Sequence, residues 1–137
     1  MPGVPELLEV LAKRKDIALG IATGNFEKAA WLKLKRGNIH SYFQFGGFGS
    51  DSAHRPELTR KAAKRGFEKI GFELAPEDVW VIGDTQHDIH AGKSMGARTV
   101  AVATGRLKPE EFKPYQPDYI LADFADADSF LKILEVD

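Results

Sequence analysis

An α/β fold, a parallel sheet flanked by helices, is predicted by two features of this 137-residue sequence. Short apolar runs ending in Gly, Thr or Asp alternate with longer amphipathic stretches, the pattern of parallel strands joined by crossover helices. The residues directly after those runs are small, polar and rich in glycine, as backbone approaching an anion requires. Strands are expected within residues 17–22, 42–48, 79–82, 99–103 and 119–121. Between them, 5–14, 26–35, 56–70 and 88–95 read as helices, as does 126–134 at the end. In that last segment Ala127, Phe130, Leu131 and Leu134 fall at i, i+3, i+4 and i+7, which makes one apolar face.

The length is that of one domain, residues 1–137, and is sufficient to bury a core. With 19 Lys and Arg against 20 Asp and Glu, the net charge of −1 gives no overall field to attract nucleic acid or an anionic membrane. Neither is expected as a partner. The absence of cysteine excludes disulfides, thiolate metal sites and a cysteine nucleophile, and fits a reducing compartment. No apolar run approaches the roughly 20 residues of a membrane span, and the first residues lack the basic and apolar regions of a signal peptide. A cytoplasmic location is expected.

In an open parallel sheet, ligands bind beyond the carboxyl ends of the strands, where helix N-termini present free N–H groups. The loops to read are therefore Thr23-Gly24-Asn25, Gly49-Ser50-Asp51, Gly83-Asp84-Thr85 and Thr104-Gly105. In Val81-Ile82-Gly83-Asp84-Thr85-Gln86-His87-Asp88, two acids four apart follow an apolar strand and can face one crevice. Their mutual repulsion is commonly relieved by a hard divalent cation, Mg²⁺ especially where a substrate phosphate completes its shell. The alternative makes Asp84 a turn residue and Asp88 a helix N-cap. In Gly20-Ile21-Ala22-Thr23-Gly24-Asn25, the Thr23 hydroxyl and the following N–H groups could cradle a phosphoryl oxygen, or Asn25 could simply cap the next helix. Arg55, in His54-Arg55-Pro56-Glu57-Leu58, opens a helix whose dipole disfavours a cation unless an anion sits between them.

Thr23 within IATGN, Arg55 within HRPEL, and Asp84 and Asp88 within VIGDTQHDIHAG together resemble the second, third and fourth motifs of the haloacid dehalogenase (HAD)-like hydrolase superfamily. The resemblance runs over nearly the whole chain and is nearest to the phosphoglycolate-phosphatase-like branch. It implies a Rossmann-like core and a Mg²⁺-dependent phosphatase that hydrolyses small phosphorylated metabolites through an aspartyl-phosphate. Thr23, Gly24, Asn25 and Arg55 would bind the phosphoryl group, Thr23 and Arg55 serving catalysis, and Asp84 and Asp88 would hold the metal. Such transfers are catalysed mainly by positioning and charge neutralisation, which these residue types supply.

The chain departs from the family where the first motif should stand. The N-terminal Asp-x-Asp, with the nucleophile and the general acid, and the cap that follows are not seen ahead of Thr23. Asp126-Ala127-Asp128 has the right letters but falls at the start of the last helix, where acids are stabilised by the dipole. Negligible turnover by this polypeptide alone is expected. The missing strand lies mid-sheet in the family, so the two halves should close on each other, or pair with a second copy or with the missing N-terminal segment. Two other readings are a non-catalytic Mg²⁺ or phosphate-binding fragment and an interaction module. Dehalogenation ranks below both, since it does not need the acidic pair. His87 and His90, at i and i+3, are read as bystanders, and Gly92-Lys93-Ser94 lacks the Gly that a P-loop requires at position 87.

Overall fold

The computed structural model of the chain describes residues 4–14, 17–124 and 127–134, with the side chains of 127–129 left aside. Five strands and five α-helices alternate in it: α1 (Val4–Ala12), β1 (Gly20–Ala22), α2 (Glu27–Arg36), β2 (Phe45–Gly47), α3 (Arg55–Ile70), β3 (Trp80–Gly83), α4 (Gln86–Ser94), β4 (Arg98–Val102), β5 (Tyr119–Leu121) and α5 (Ala127–Leu134). The α/β expectation holds, with every anticipated element found within a few residues of its place. The short 3-10 segments His40–Tyr42, Pro76–Asp78 and Pro109–Tyr115 carry no sequence period strong enough to have announced them. No helix among the described residues is long and apolar enough to cross a membrane.

All strand pairs are parallel, but they form two sheets. One is β1–β2, with Gly20 opposite Phe45 and Ala22 opposite Gly47. The other is β3–β4–β5, with Trp80 opposite Arg98 and Val100 opposite Tyr119. Among the described residues no backbone ladder joins β1 to β3. The halves therefore do not close by strand pairing, and the exposure pattern reflects this. In β4, paired on both sides, Thr99, Val100, Ala101 and Val102 are buried. In β3, Ile82 is 39% exposed, and in β1 Gly20 is exposed.

Alternation along β4 builds a core on each face. Val100 and Val102 point to one side, where they join Leu7 and Leu11 of α1 and Phe130 of α5. Ala101 points to the other, with Ile89 of α4 and Phe112 of the Pro109–Tyr115 turn. The first cluster also takes in Ile17 and Leu19 just before β1, and Trp80 of β3, so it touches both sheets. On the opposite face α3 packs on β1 and β2, α4 packs on β3 and β4, and the two helices pack on each other. Trp80 stacks on Tyr119 and Trp31 tilts against Phe48, as sheet-packing tryptophans should.

The segment between β2 and α3 is held by a two-pronged ion pair. Arg65 of α3 donates to both Asp51 oxygens at 2.7 Å and to the Gly46 carbonyl at 2.8 Å, and Asp51 Oδ2 also accepts from the Phe48 N–H at 3.0 Å. The Arg65 hydrogen bonds hold the Asp51 carboxyl down at about 2 against an ordinary 3.8, and Asp51 in turn raises Arg65. The Asp51 value lies lower in the folded chain, so its contribution to stability is fully present above 3.8 and is lost as pH falls through about 2.

Two stability measurements follow from this architecture. Phe130→Ala empties the centre of the core that touches both sheets and should cost about 3–5 kcal/mol, seen as a lower urea midpoint. Asp51→Asn should cost about 1–2 kcal/mol near neutral pH, a figure reduced for the partly exposed Arg65 partner. Its deficit relative to the parent should shrink as pH is taken from about 4 toward 2, and a deficit independent of pH would contradict the assignment.

Candidate functional site

Beyond the carboxyl ends of β1, β2, β3 and β4, four loops form one continuous chain of contacts. The Gly49 N–H donates to the Asn25 carbonyl at 2.8 Å, tying the loop after β2 to the loop after β1. Arg55, the first residue of α3, brings its guanidinium alongside Gly24, where a Cβ would stand 3.9 Å from Nη2. The same guanidinium donates from Nη1 to Asp88 Oδ1 at 2.8 Å. That ion pair links α3, which rests on the β1–β2 sheet, to α4, which rests on the other sheet. Asp84 meets the loop after β4, where a Cβ on Gly105 would lie 2.9 Å from its Oδ2.

Each predicted residue has a local cause for its position. The Thr23 N–H extends the β1–β2 ladder to the Gly47 carbonyl, and its Oγ1 accepts from the Asn25 N–H at 3.2 Å. A hydroxyl used as an acceptor keeps its proton for another partner, so Thr23 can still donate to an anion. Asn25 does not cap α2. The N-cap is Phe26, which makes no side-chain cap, and the Glu27 N–H is met by Ser50 Oγ at 3.3 Å. The Asn25 carbonyl is committed to Gly49 and its Oδ1 to Lys33 Nζ at 3.3 Å, so the helix starts one residue later than a capping Asn25 would require.

Asp88 is not the N-cap of α4 either. Thr85 is, and Asp88 is the third helical residue of a reciprocal capping box. Thr85 Oγ1 accepts from the Asp88 N–H at 3.4 Å, while Asp88 Oδ2 accepts from the Thr85 hydroxyl at 3.0 Å and from its N–H at 3.3 Å. With Oδ1 held by Arg55, both carboxylate oxygens are engaged and the side chain is only 16% exposed. Gly83 makes this possible, because any Cβ there would overlap the Asp88 side chain. The Thr-x-x-Asp spacing of a capping box was legible in Thr85 to Asp88, yet the supporting part of Thr85 was not foreseen.

The pair could hold a hard cation. Two carboxylates with no nitrogen or sulfur donor match the way Mg²⁺ is held, by one or two acids with water and substrate phosphate completing the shell. Among the described residues no group of three or more His, Cys, Asp or Glu is placed to hold a metal by protein ligands alone. His87 and His90 are exposed. The missing Cβ of Gly83 leaves room for the Asp88 side chain, Gly105 lies beside Asp84, and Thr104 Oγ1, next to Gly105, is buried without a hydrogen-bond partner among the described residues. An unmet buried hydroxyl one residue from the glycine that meets Asp84 suits a site that takes a further polar group. Asp126 lies outside the described residues, as does the side chain of Asp128.

The chain was compared with known proteins. The profile of the HAD-hydrolase-like family matches residues 53–127, more than half of the chain. The pyrophosphatase PpaX of Anoxybacillus flavithermus is 30% identical over 122 residues, 87% of this chain and 54% of that protein. The PpaX of Oceanobacillus iheyensis is 30% identical over 128 residues, 91% of this chain and 56% of that protein. The chain thus spans about half the length of these relatives. Among solved structures, a haloacid dehalogenase-like family hydrolase from Streptococcus pneumoniae superposes with a TM-score of 0.80 at 25% identity, covering 96% of this chain and 59% of that one. A predicted phosphoglycolate phosphatase from Haemophilus somnus 129PT gives 0.78 at 28% identity, covering 98% and 56%. The family profile covers Arg55, Asp84 and Asp88, and the fold comparison takes in the strands and loops on which they stand, so this chain belongs to the HAD-like hydrolase family.

Proposed function

We propose that this chain supplies the phosphate-binding and metal-binding half of a Mg²⁺-dependent phosphohydrolase site for a small phosphorylated metabolite. The observation that supports the reading is the Arg55–Asp88 contact at 2.8 Å, which joins the start of α3 to the first turn of α4 while the same guanidinium lies alongside Gly24 of the loop after β1. Thr23 would donate its hydroxyl proton to a phosphoryl oxygen, with Gly24 and Asn25 shaping the loop beside it. Arg55 would neutralise phosphoryl charge, and Asp84 and Asp88 would hold the cation. When bound there, Mg²⁺ would add positive charge against the phosphoryl oxygens, where charge neutralisation contributes most to such transfers. The names of the relatives, a pyrophosphatase and a predicted phosphoglycolate phosphatase, support the substrate class.

Transfer through an aspartyl-phosphate also needs an attacking carboxylate, and within these 137 residues no Asp-x-Asp precedes Thr23. In this reading it is brought by an extended segment, from an N-terminal region or another chain, that pairs with the free edges of β1 and β3. Removing a nucleophile from a hydrolase can cost about 10⁶ in kcat, so a polypeptide of these residues alone should show negligible turnover of small phosphate esters. Supplying the Asp-x-Asp segment should restore it. A non-catalytic binding module would bind the same ligands but stay inactive after that addition.

The first check is calorimetry of Mg²⁺ with and without tungstate as a phosphate mimic. The parent chain should bind, and Asp84→Asn should lose at least about tenfold in Mg²⁺ affinity, as expected when one of two charged ligands is removed. Equal binding by parent and variant would refute the assignment of the metal to the acidic pair.

A further inference from the structure

We infer that Arg55 exchanges between Asp88 and the phosphoryl group, so that metal and phosphate bind cooperatively through it. The inference rests on the proposed phosphohydrolase reading and goes beyond it, because that reading requires only that both ligands bind. Both Asp88 oxygens are engaged by the protein itself. Oδ1 accepts from Arg55 at 2.8 Å, and Oδ2 is occupied by the Thr85 N–H and hydroxyl at 3.3 and 3.0 Å. The Thr85 contacts belong to the capping box that starts α4, so they cost helix stability if broken. The Arg55 contact is the one with somewhere else to go. Its guanidinium already lies beside Gly24 in the Thr23 loop, and its side chain is 32% exposed.

The two cations compete for one carboxylate. While Arg55 remains on Asp88, it neutralises half of the acidic pair and repels a divalent ion brought to Asp84. A phosphate anion at the Thr23 loop gives Arg55 a second partner, and charge-assisted bonds from a guanidinium to phosphate are among the strongest available to it. Arg55 then leaves Asp88 to the metal. Reciprocity follows by thermodynamic necessity: whatever factor phosphate adds to Mg²⁺ affinity, Mg²⁺ adds to phosphate affinity.

Calorimetry on the chain tests this with MgCl₂ and inorganic phosphate as the probes, each titrated alone and at saturation of the other. Binding of each should tighten by at least about fivefold in the presence of the other, within the ordinary range of coupling between sites. Arg55→Gln should bind Mg²⁺ alone about three- to tenfold more tightly than the parent, since the competing cation has gone, while its coupling falls at least about twofold below the parent's, to what direct attraction between Mg²⁺ and phosphate supplies. Arg55→Lys should retain part of the coupling. Circular dichroism establishes that each variant is folded, and if Arg55→Gln is not, Arg55→Lys decides in its place, a coupling equal to the parent's overturning the exchange. Parent affinities for Mg²⁺ that are the same with and without phosphate overturn the exchange while leaving the functional reading intact. Mg²⁺ affinity weakened in folded Arg55→Gln overturns it as well. A parent chain that binds neither probe, separately or together, overturns the functional reading and the exchange with it.

Discussion

Two parallel sheets that share no backbone ladder among the described residues must be joined by side chains, and this constraint governs the rest of the molecule. A continuous sheet is tied by hydrogen bonds whose geometry is independent of sequence. Here the joint depends on particular residues. On one face it is apolar, where Leu7, Leu11, Val100, Val102 and Phe130 form a core that Leu19 reaches from the β1 side and Trp80 from the β3 side. On the other it is the packing of α3 on α4, supported by Arg60 reaching the Ser94 carbonyl at 3.4 Å. At the crevice it is one ion pair, Arg55 with Asp88.

That arrangement makes the site and the joint the same object. Arg55 lies at the start of the helix resting on one sheet, and Asp88 in the first turn of the helix resting on the other, so a ligand that redistributes their charges acts where the halves meet. The two ion pairs of α3 have different surroundings. Arg65 holds Asp51 through two short hydrogen bonds backed by the Gly46 carbonyl, which anchors the segment leading to Arg55. Arg55 makes one short hydrogen bond to Asp88, close to a glycine-rich loop that offers room for an anion. One pair fixes the scaffold, and the other is the pair on which the proposed exchange rests.

The exposure of Ile82 and Gly20 follows from the same geometry. A strand buried between neighbours reads in sequence as an unbroken apolar run, and Val81-Ile82 does read so. Among the described residues Gly20 and Ile82 both stand on strands that end a sheet, β1 beside β2 and β3 beside β4.

The sequence by itself determined the strand and helix order, and it singled out the loops after the strands and the four positions Thr23, Arg55, Asp84 and Asp88 as the candidate site. These are local properties, set by apolar period, by the residue types that end strands and by motif spacing. It also held the capping box of Thr85 and Asp88, a pattern of four neighbouring residues. Only the tertiary structure decided that Arg55 faces Asp88 from 33 residues away, that Ser50 rather than Asn25 serves the start of α2, and that Gly105 presses on Asp84. Nothing local distinguishes these outcomes. A guanidinium, a hydroxyl or a missing Cβ acquires its partner only when packing of α3 on α4 and of β4 beside β3 sets the distance between segments remote in the chain.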